Sequence, residues 1–160
     1  MLNATLLSNI LKELPEFSSD EQFLEGDGYD AILQELLNLR SATFPLAILE
    51  GRSSGTIQLI SDGPLDTFTQ SVWIMCQEGR GESTHSIYEQ ARQLAVKVLA
   101  KLLEKHNSGT AELAEWDYQR TAYLKREGGQ NTRGWELVLT FREDFSLIIE
   151  PEPVVENGGE

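Results

Sequence analysis

Between Phe68 and Phe145 the chain contains an alternating segment, a long amphipathic segment and then two more alternating segments. Apolar residues at every second position predict a β-strand with one buried face, and apolar residues three or four apart predict a helix with one buried side. Elements of both kinds, in this order, bury their apolar sides together when the helix packs on a sheet that contains the flanking strands. The sequence therefore predicts a single helix-on-sheet core.

The first strand is predicted over residues 67–77, where two sets of side chains alternate. One face carries Phe68, Val72, Ile74 and Cys76, and the other carries Thr69, Ser71, Trp73 and Met75. The long helix is predicted to begin after a cap at Ser83 or Thr84 and to end at Gly109. Its apolar stripe spans about five turns. The stripe consists of Ile87, Ala91, Leu94, Ala95, Val98, Leu99, Leu102 and Leu103.

The last two alternating segments, residues 116–125 and 135–141, predict a closing hairpin. The link between them, residues 126–134, holds three glycines, which predicts a long and mobile tip. Phe145, Leu147 and Ile149 continue the alternation of the second strand. A short helical turn is expected over residues 111–115.

The N-terminal part predicts two helices, over residues 2–14 and 29–39, separated by an acidic loop over residues 16–28. Two short strands follow at 46–50 and 56–60, joined by a turn-rich link. The complete prediction is an α+β fold. It has a mostly antiparallel sheet of four to five strands, one long helix packed on one face and two N-terminal helices.

The length of 160 residues is usual for one domain, and folding at this length buries roughly 70% of the surface of the unfolded chain. We expect residues 1–149 to form that domain and residues 150–160 to be a disordered acidic tail. The first residues have helical spacing without a basic opening region, so they are interpreted as mature structure. The longest apolar runs are far shorter than the ~20 residues of a transmembrane helix, which indicates a soluble protein.

The charge balance argues against one class of partner. Acidic residues number 26 and basic residues 13, giving a formal net charge of -13; removing the four glutamates of residues 150–160 leaves -9. Sequence-specific binding of nucleic acid is not expected, because phosphate contacts need Lys and Arg. Three interpretations of the acidity stay open: solubility, attraction of a basic protein partner, and repulsion of DNA passing close by.

No group of residues predicts a catalytic, cofactor or metal site. Cys76 has no basic neighbour in sequence, so it is interpreted as a small buried hydrophobe in a protein of the reducing cytoplasm. His85 and His106 lie near opposite ends of the predicted long helix, about 30 Å apart at 1.5 Å per residue. The acidic and glycine-rich segments match neither an EF-hand nor a phosphate-binding loop. We therefore expect a non-enzymatic protein without cofactor or metal.

Four residues are the candidate protein interface: Trp73, Met75, Arg126 and Arg133. Trp73 and Met75 make the second face of their strand less polar than a solvent-exposed face. Either an N-terminal helix or another subunit covers them, since Trp is frequent in interface hot spots. Arg126 and Arg133 lie in the predicted hairpin tip, which is either a solvated loop or an arm that docks on an acidic neighbour.

The order of the elements resembles the tail terminator and head-tail completion proteins of long-tailed bacteriophages. Four segments carry the resemblance: FPLAILEG from Phe44, FTQSVWIMCQ from Phe68, ARQLAVKVLAKLLE from Ala91 and GWELVLTFRE from Gly134. Together with the N-terminal helical region they cover about two thirds of the chain. The resemblance lies in the pattern of elements and not in a sequence fingerprint.

This resemblance implies a ring, commonly a hexamer, that caps the tail tube, stops its polymerisation and faces the connector of the head. The implied partners are copies of the chain and a tail-tube or connector protein, with neither a membrane nor sequence-specific nucleic acid. The implied location is the cytoplasm of the host cell and then the virion, and no catalytic residue is implied. An acidic lumen would let DNA slide without sticking. The acidic segment 16–28 and the glutamate-rich tail depart from the family's pattern.

Two other functions stay open. An acidic inhibitor or immunity-type protein would neutralise a basic toxin by charge complementarity, as a monomer or a dimer. A small enzyme of unrecognised type is the third possibility. The oligomeric state separates the first of these from a ring.

Overall fold

The computed structural model describes residues 1–38, 43–60, 63–129 and 131–144. The elements, in chain order, are α1 (Ala4–Leu11), β1 (Phe23–Gly26), α2 (Tyr29–Asn38), β2 (Leu46–Ile60), β3 (Gly63–Gln77), α3 (Thr84–Asn107), β4 (Ala122–Glu127) and β5 (Thr132–Asp144). Three short 3-10 turns lie at Asp20–Gln22, Ala111–Leu113 and Tyr118–Arg120. The predicted α+β class and the two N-terminal helices are confirmed. Over the described ranges, every helix is too short or too polar to span a bilayer.

All five strands belong to one sheet, in the order β1-β2-β3-β5-β4. β1 runs parallel to β2, and the other three pairs are antiparallel. The register places Leu49 beside Val72 and Val72 beside Leu137, so the apolar positions of three strands line up on one face. The sheet is therefore mostly antiparallel, as the sequence predicts.

The face of the sheet that carries Phe68, Val72 and Ile74, here called the front face, is covered by α3 and α1. The predicted stripe of α3 is buried against it, with Leu99 and Leu103 partly buried at its margin. α1 contributes Leu7, Ile10 and Leu11. The stacked rings of Phe68 and Phe141, 5.4 Å apart, lie in this core. The predicted helix-on-sheet packing is confirmed.

The opposite face of the sheet, here called the rear face, has a smaller core beneath α2. Ile32 and Leu36 of α2 pack on four side chains of β2 and β3. Those four are Leu46, Ile48, Trp73 and Met75. The sheet is therefore sandwiched between helices over part of its area, and α2 leaves the rest of the rear face uncovered by helix in the described chain.

Caps fix both ends of α3 where the sequence predicts them, and a cap also fixes the start of α1. Asn3 accepts a hydrogen bond from the backbone N–H of Leu6 at 2.9 Å, and Ser83 accepts one from Ser86 at 3.2 Å. These bonds satisfy N–H groups that have no partner within the helix. Gly109, with φ of +88°, ends α3 in the left-handed conformation that glycine adopts without strain.

Three sequence-based assignments are wrong. Residues 23–26 of the predicted acidic loop form β1, a strand too short to show alternation. Residues 51–55 are not a turn, because β2 continues through them with register shifts between Glu50 and Ser54. The strand predicted from residue 116 begins at Ala122, after a single bridge between Trp116 and Phe141. The continuation predicted at residues 145–149 and the predicted tail at 150–160 lie outside the described residues.

Candidate protein interface

Trp73 and Met75, predicted to contact a partner, are fully buried within the chain. α2 covers them, which is the first of the two interpretations that the sequence leaves open. The ring of Tyr29, at the start of α2, lies 5.4 Å from the ring of Trp73. The prediction that these two side chains form an interface is therefore corrected: in this fold they are the rear core, and a partner has no access to them.

Arg126 lies in β4 rather than in a mobile tip, and its side chain is partly buried. Its Nε and Nη2 atoms both lie 2.5 Å from Oε2 of Glu136, and Ser71 donates a hydrogen bond of 2.6 Å to the other oxygen of that carboxylate. The guanidinium also stands over the rings of Tyr29 and Trp73, at 5.2 and 5.3 Å. Arg126 therefore helps to hold α2 on the sheet.

A second buried carboxylate, Glu50, completes a group that we call the rear polar cluster: Glu50, Ser71, Trp73, Arg126 and Glu136. Trp73 donates a hydrogen bond of 3.2 Å from its indole nitrogen to Glu50. Burial raises the pKa of the Glu50 carboxyl, and the nearby Glu136 raises it further, against the opposing effects of Trp73 and Arg126. One guanidinium thus faces two buried carboxylates.

Arg133 is at the start of β5 and its side chain is mostly buried on the front side. It donates a hydrogen bond of 2.9 Å to the carbonyl of Thr132 and lies 3.0 Å from the carboxylate of Glu127 on the paired strand. The hairpin link between β4 and β5 is shorter than predicted, because pairing continues to Glu127 and Arg133. Arg126 and Arg133 are therefore parts of a strand ladder and not of a projecting tip.

The surface that projects from the molecule is a different hairpin, which sequence reasoning missed as an interface. We call it the arm: residues 52–60 of β2 and 63–69 of β3. β1 pairs with β2 only as far as Glu50, so within the described chain the outer edge of the arm has no neighbouring strand. Ile57 and Leu59 are 61% and 81% exposed. The unpaired backbone N–H and C=O groups of an open edge are a template for pairing with another chain, and exposed apolar side chains beside them add surface that a partner can bury.

The base of the arm is fixed to the body of the sheet. Arg52 forms an ion pair with Asp66, and its guanidinium stands 4.1 Å from the ring centroid of Phe68. The hydroxyl of Thr69 lies 2.9 Å from that of Ser54. The arm is therefore a continuation of the sheet, held across its two strands by side chains as well as by the backbone.

The other edge of the sheet is β4, which among the described strands pairs only with β5. Tyr123 and Leu124 on this strand are 64% and 46% exposed. An apolar cleft of about 170 Å³ lies beside it, between α3 and the two last strands. Leu99, Tyr123 and Trp135 contribute to its wall. The described chain thus presents two open and partly apolar edges at opposite ends of one sheet.

The sequence does contain a signal for the arm. Thr56 to Ile60, read as TIQLI, alternates and is rich in β-branched and apolar residues, but the SSG segment before it suggests a turn. What the sequence does not reveal is that none of the helices in the described ranges covers these residues. Exposure depends on how far α1, α2 and α3 reach along the sheet, and their reach is set by the tertiary packing.

The remaining chemistry-bearing residues are dispersed. Burial, with the charge of Glu82, raises the pKa of the Cys76 thiol to about 11, so it is a poor nucleophile at neutral pH. His106 lies against the rings of Trp116 and Tyr118, with Nδ1 2.8 Å from the carbonyl oxygen of Leu113. Over the described ranges, no three side chains of the types His, Cys, Asp or Glu come together as a metal site.

A scan against protein-family models gave no match to this chain, and a search of curated protein sequences gave none either.

Proposed function

We propose that this chain is a non-enzymatic structural protein of a phage or prophage, whose copies join into a ring that caps the tail tube or connects head and tail. The observation that supports this most is the pair of open edges on one sheet, the arm at one end and β4 at the other. Adding the arm edge of one copy to the β4 edge of the next gives a head-to-tail contact. Such contacts form a ring when the rotation between subunits closes.

The exposure of Ile57 and Leu59 supports the same proposal. Soluble proteins usually protect an open strand edge with charges, prolines or a covering element. Residues 53–60 contain no charged residue and no proline. A neighbouring subunit that covers this edge would remove the exposed apolar surface and satisfy its backbone groups. The other partner in the proposal is a tail-tube or connector protein.

The acidity supports a role beside passing DNA. A formal net charge of -13 repels the phosphate backbone at short range, so a ring of such subunits would let a DNA duplex pass without binding it. The same charge also favours a second candidate function, an acidic inhibitor that binds a basic protein partner. The two candidates differ in oligomeric state.

The test is light scattering coupled to gel filtration on the wild-type chain and on Ile57→Lys with Leu59→Lys. We expect a closed oligomer for wild type and a monomer for the double variant, because two lysines place positive charge on the proposed contact. Both side chains are exposed in the free subunit, so the free energy of unfolding should change by less than about 0.5 kcal/mol.

Ala100→Lys is the matched control, since Ala100 is exposed on α3 and lies neither in the arm nor in the cleft beside β4. This variant should keep the wild-type mass. A wild-type chain that remains monomeric at high concentration and binds no tail-tube protein would exclude the ring and favour the inhibitor. A double variant that keeps the oligomer intact would exclude the arm as the contact.

A further inference from the structure

The exposed apolar side chains of the arm lie on the front face of the sheet. Ile57 is two residues from Gly55, whose partner in register is Phe68. Leu59 follows after another two residues, and side chains two apart along a strand point to the same face. The apolar cleft beside β4 is also on the front face, because it lies between α3 and Tyr123 of β4. The arm and the cleft therefore present apolar surface on the same side of one sheet.

The strand directions determine how a second copy can bring its arm to this cleft. Three antiparallel pairings separate β2 from β4, so these strands run in opposite directions. A copy that is displaced in the plane of the sheet, without being turned over, therefore places its arm antiparallel to β4 and keeps its front face on the same side. Thr56 of the arm is level with Thr67 of β3. Leu124 of β4 is level, through Glu136, with Trp73 of β3. These two levels are six residues apart, so the displacement includes about 20 Å along the strands.

This displacement pairs the middle of the arm with the middle of β4 and places Ile57 of the second copy opposite Tyr123. The walls of the cleft are already ordered in the single chain. The ring of Tyr123 packs 5.4 Å from the ring of Trp135, whose indole nitrogen donates a hydrogen bond of 2.8 Å to the carbonyl of Tyr88. An apolar cavity of about 150 Å³ accepts a molecule of the size of benzene. The cleft, of about 170 Å³, therefore has room for one branched aliphatic side chain.

The two edges of the sheet also carry opposite charges. Residues 20–30, which include β1, contain five acidic residues and no lysine or arginine. Residues 118–126, which include most of β4, contain three basic residues and no acidic one. Antiparallel pairing of the arm with β4 directs the acidic edge of the second copy towards the end of β4 that carries the exposed Lys125. A contact between two like edges would instead bring equal charges together.

We propose that Ile57 of one copy packs in the cleft beside β4 of the next copy, with the arm added to β4 as an antiparallel strand and both front faces on the same side. This contact rests on the proposed head-to-tail ring and specifies the residues that meet in it. A copy that is turned over would place Ile57 beside Leu124, on the rear face. A two-fold contact between two arms would leave the cleft unfilled.

The test is disulfide formation in a chain that carries Ile57→Cys and Tyr123→Cys, with the native cysteine removed by Cys76→Ala. These two positions are about 14 Å apart across the strands alone, so they cannot be bridged within one chain. Residues opposite each other in an antiparallel pair have Cα atoms about 4.5–5.5 Å apart, which a disulfide can span. We expect oxidation to link the chains into dimers, trimers and larger species up to the closed ring.

Ile57→Cys with Leu124→Cys is the matched control, because Leu124 is the next residue of β4 and lies on the rear face. The linked fraction should be about fivefold lower for this pair, since a disulfide cannot join opposite faces of a sheet. Equal or greater linking of the control pair would overturn the proposed orientation. Disulfide dimers of a chain with Ile57→Cys alone would show two arms in contact and would also overturn it.

Light scattering on the same chains before oxidation separates this inference from the proposed function. An oligomer that gives no links through Ile57→Cys and Tyr123→Cys would overturn this contact and leave the ring proposal standing. A monomer without links would overturn both.

A second measurement keeps the wall formed by Tyr123 intact. Val96 lines the cleft and is 55% exposed, so Val96→Lys changes the cleft without disturbing a buried position. This variant should raise the protein concentration at which half of the oligomer dissociates by about tenfold or more, because the contact would bury an ammonium group. Ala100→Lys, outside the cleft, should leave that concentration unchanged. No difference between the two variants would exclude the cleft as the docking site.

Discussion

The residues of the rear polar cluster set the conditions under which α2 stays on the sheet. Glu50 and Glu136 are both buried, and Arg126 is the one cation whose contacts with the cluster are described. Burying two carboxylates costs free energy that one guanidinium and two neutral donors offset only in part. The stability of this region should therefore depend on the protonation of Glu50, whose pKa is raised by burial.

Glu50→Gln is expected to stabilise the protein at neutral pH. A carboxyl whose pKa is higher in the folded state than in the unfolded state favours folding when protonated, so its stabilising effect is complete below the ordinary glutamate value of 4.5 and is lost as pH rises through the folded value. The variant should exceed wild type in free energy of unfolding at pH 7, and the difference should shrink towards pH 4.5. Urea denaturation at several pH values measures it.

Glu35→Gln is the matched control, because Glu35 is an exposed residue of α2. Comparing wild type and variant at each pH also removes the effects of Glu16 and Glu89, whose pKa values are lowered by Lys97 and Arg92. A Glu50→Gln variant that is less stable than wild type at pH 7 would contradict the interpretation of this cluster.

Trp73 illustrates how far a single residue can be interpreted from sequence. Alternation places it correctly on the face opposite Phe68, but alternation does not say what lies above that face. The apolar spacing of α2 in sequence fits equally a helix on either side of the sheet. Only the packing of Ile32 and Leu36 on the rear face decides the matter. Local sequence shows on which face of a strand a residue lies. It does not show which element packs over that face.

Trp73→Ala is therefore expected to act on the fold and not on assembly alone. Removing a fully buried indole leaves a cavity and orphans the carboxylate of Glu50, which should lower the free energy of unfolding by about 3–5 kcal/mol. Thermal unfolding followed by circular dichroism measures the change. A variant with unchanged midpoint and altered oligomeric state would restore Trp73 as an interface residue.

At the scale of elements, the long helix α3 is the part best predicted from sequence. Its cap, its stripe and its end all follow from local chemistry, and all three are confirmed. Lys101 and Lys105, whose side chains are partly buried, pair with Glu13 at 3.0 and 2.5 Å, which ties α1 to α3. Ion pairs at the margin of the surface add little free energy, so the packed stripe remains the main source of stability.

Ser83→Ala should lower the free energy of unfolding by about 1 kcal/mol, because the N–H of Ser86 loses its side-chain acceptor at the start of α3. Chemical denaturation measures this difference. Thr110→Ala is the matched control: Thr110 precedes the turn at Ala111–Leu113 and makes no capping hydrogen bond through its side chain. Equal losses in the two variants would show that the capping bond is not the cause.

β1 and the arm are the elements that local pattern could not assign. β1 has four residues and exists through its parallel pairing with β2, which joins segments more than twenty residues apart. At the base of the arm, β2 interrupts its own alternation at Gly51 to Ser54, where the register with β3 shifts. An irregularity of this kind reads as a turn in sequence, although the hydrogen-bonded ladder runs through it.

At the scale of the whole molecule, the three α-helices of the described residues leave part of the sheet uncovered. The class, the front core and the order of the elements other than β1 follow from the periods of the sequence, because the apolar sides of the long helix and of the alternating strands are buried against each other. The candidate surfaces cannot be predicted from these periods, because they are the parts of the sheet that no described helix covers. The arm and β4 are exposed because α2 and α3 end where they do, and the ring proposal is an inference from that geometry.

The course of β3 has a mechanical consequence. This strand starts at Gly63 in the arm, passes between the two helical layers around Trp73 and Ile74, and ends at Gln77, with β2 and β5 bonded along its two sides. A load on the arm is thus carried in shear along two ladders at once, and no loop within β3 can act as a hinge. The arm should therefore move as a rigid extension of the sheet, and a displacement of the arm should be transmitted to the part of the sheet that α3 covers.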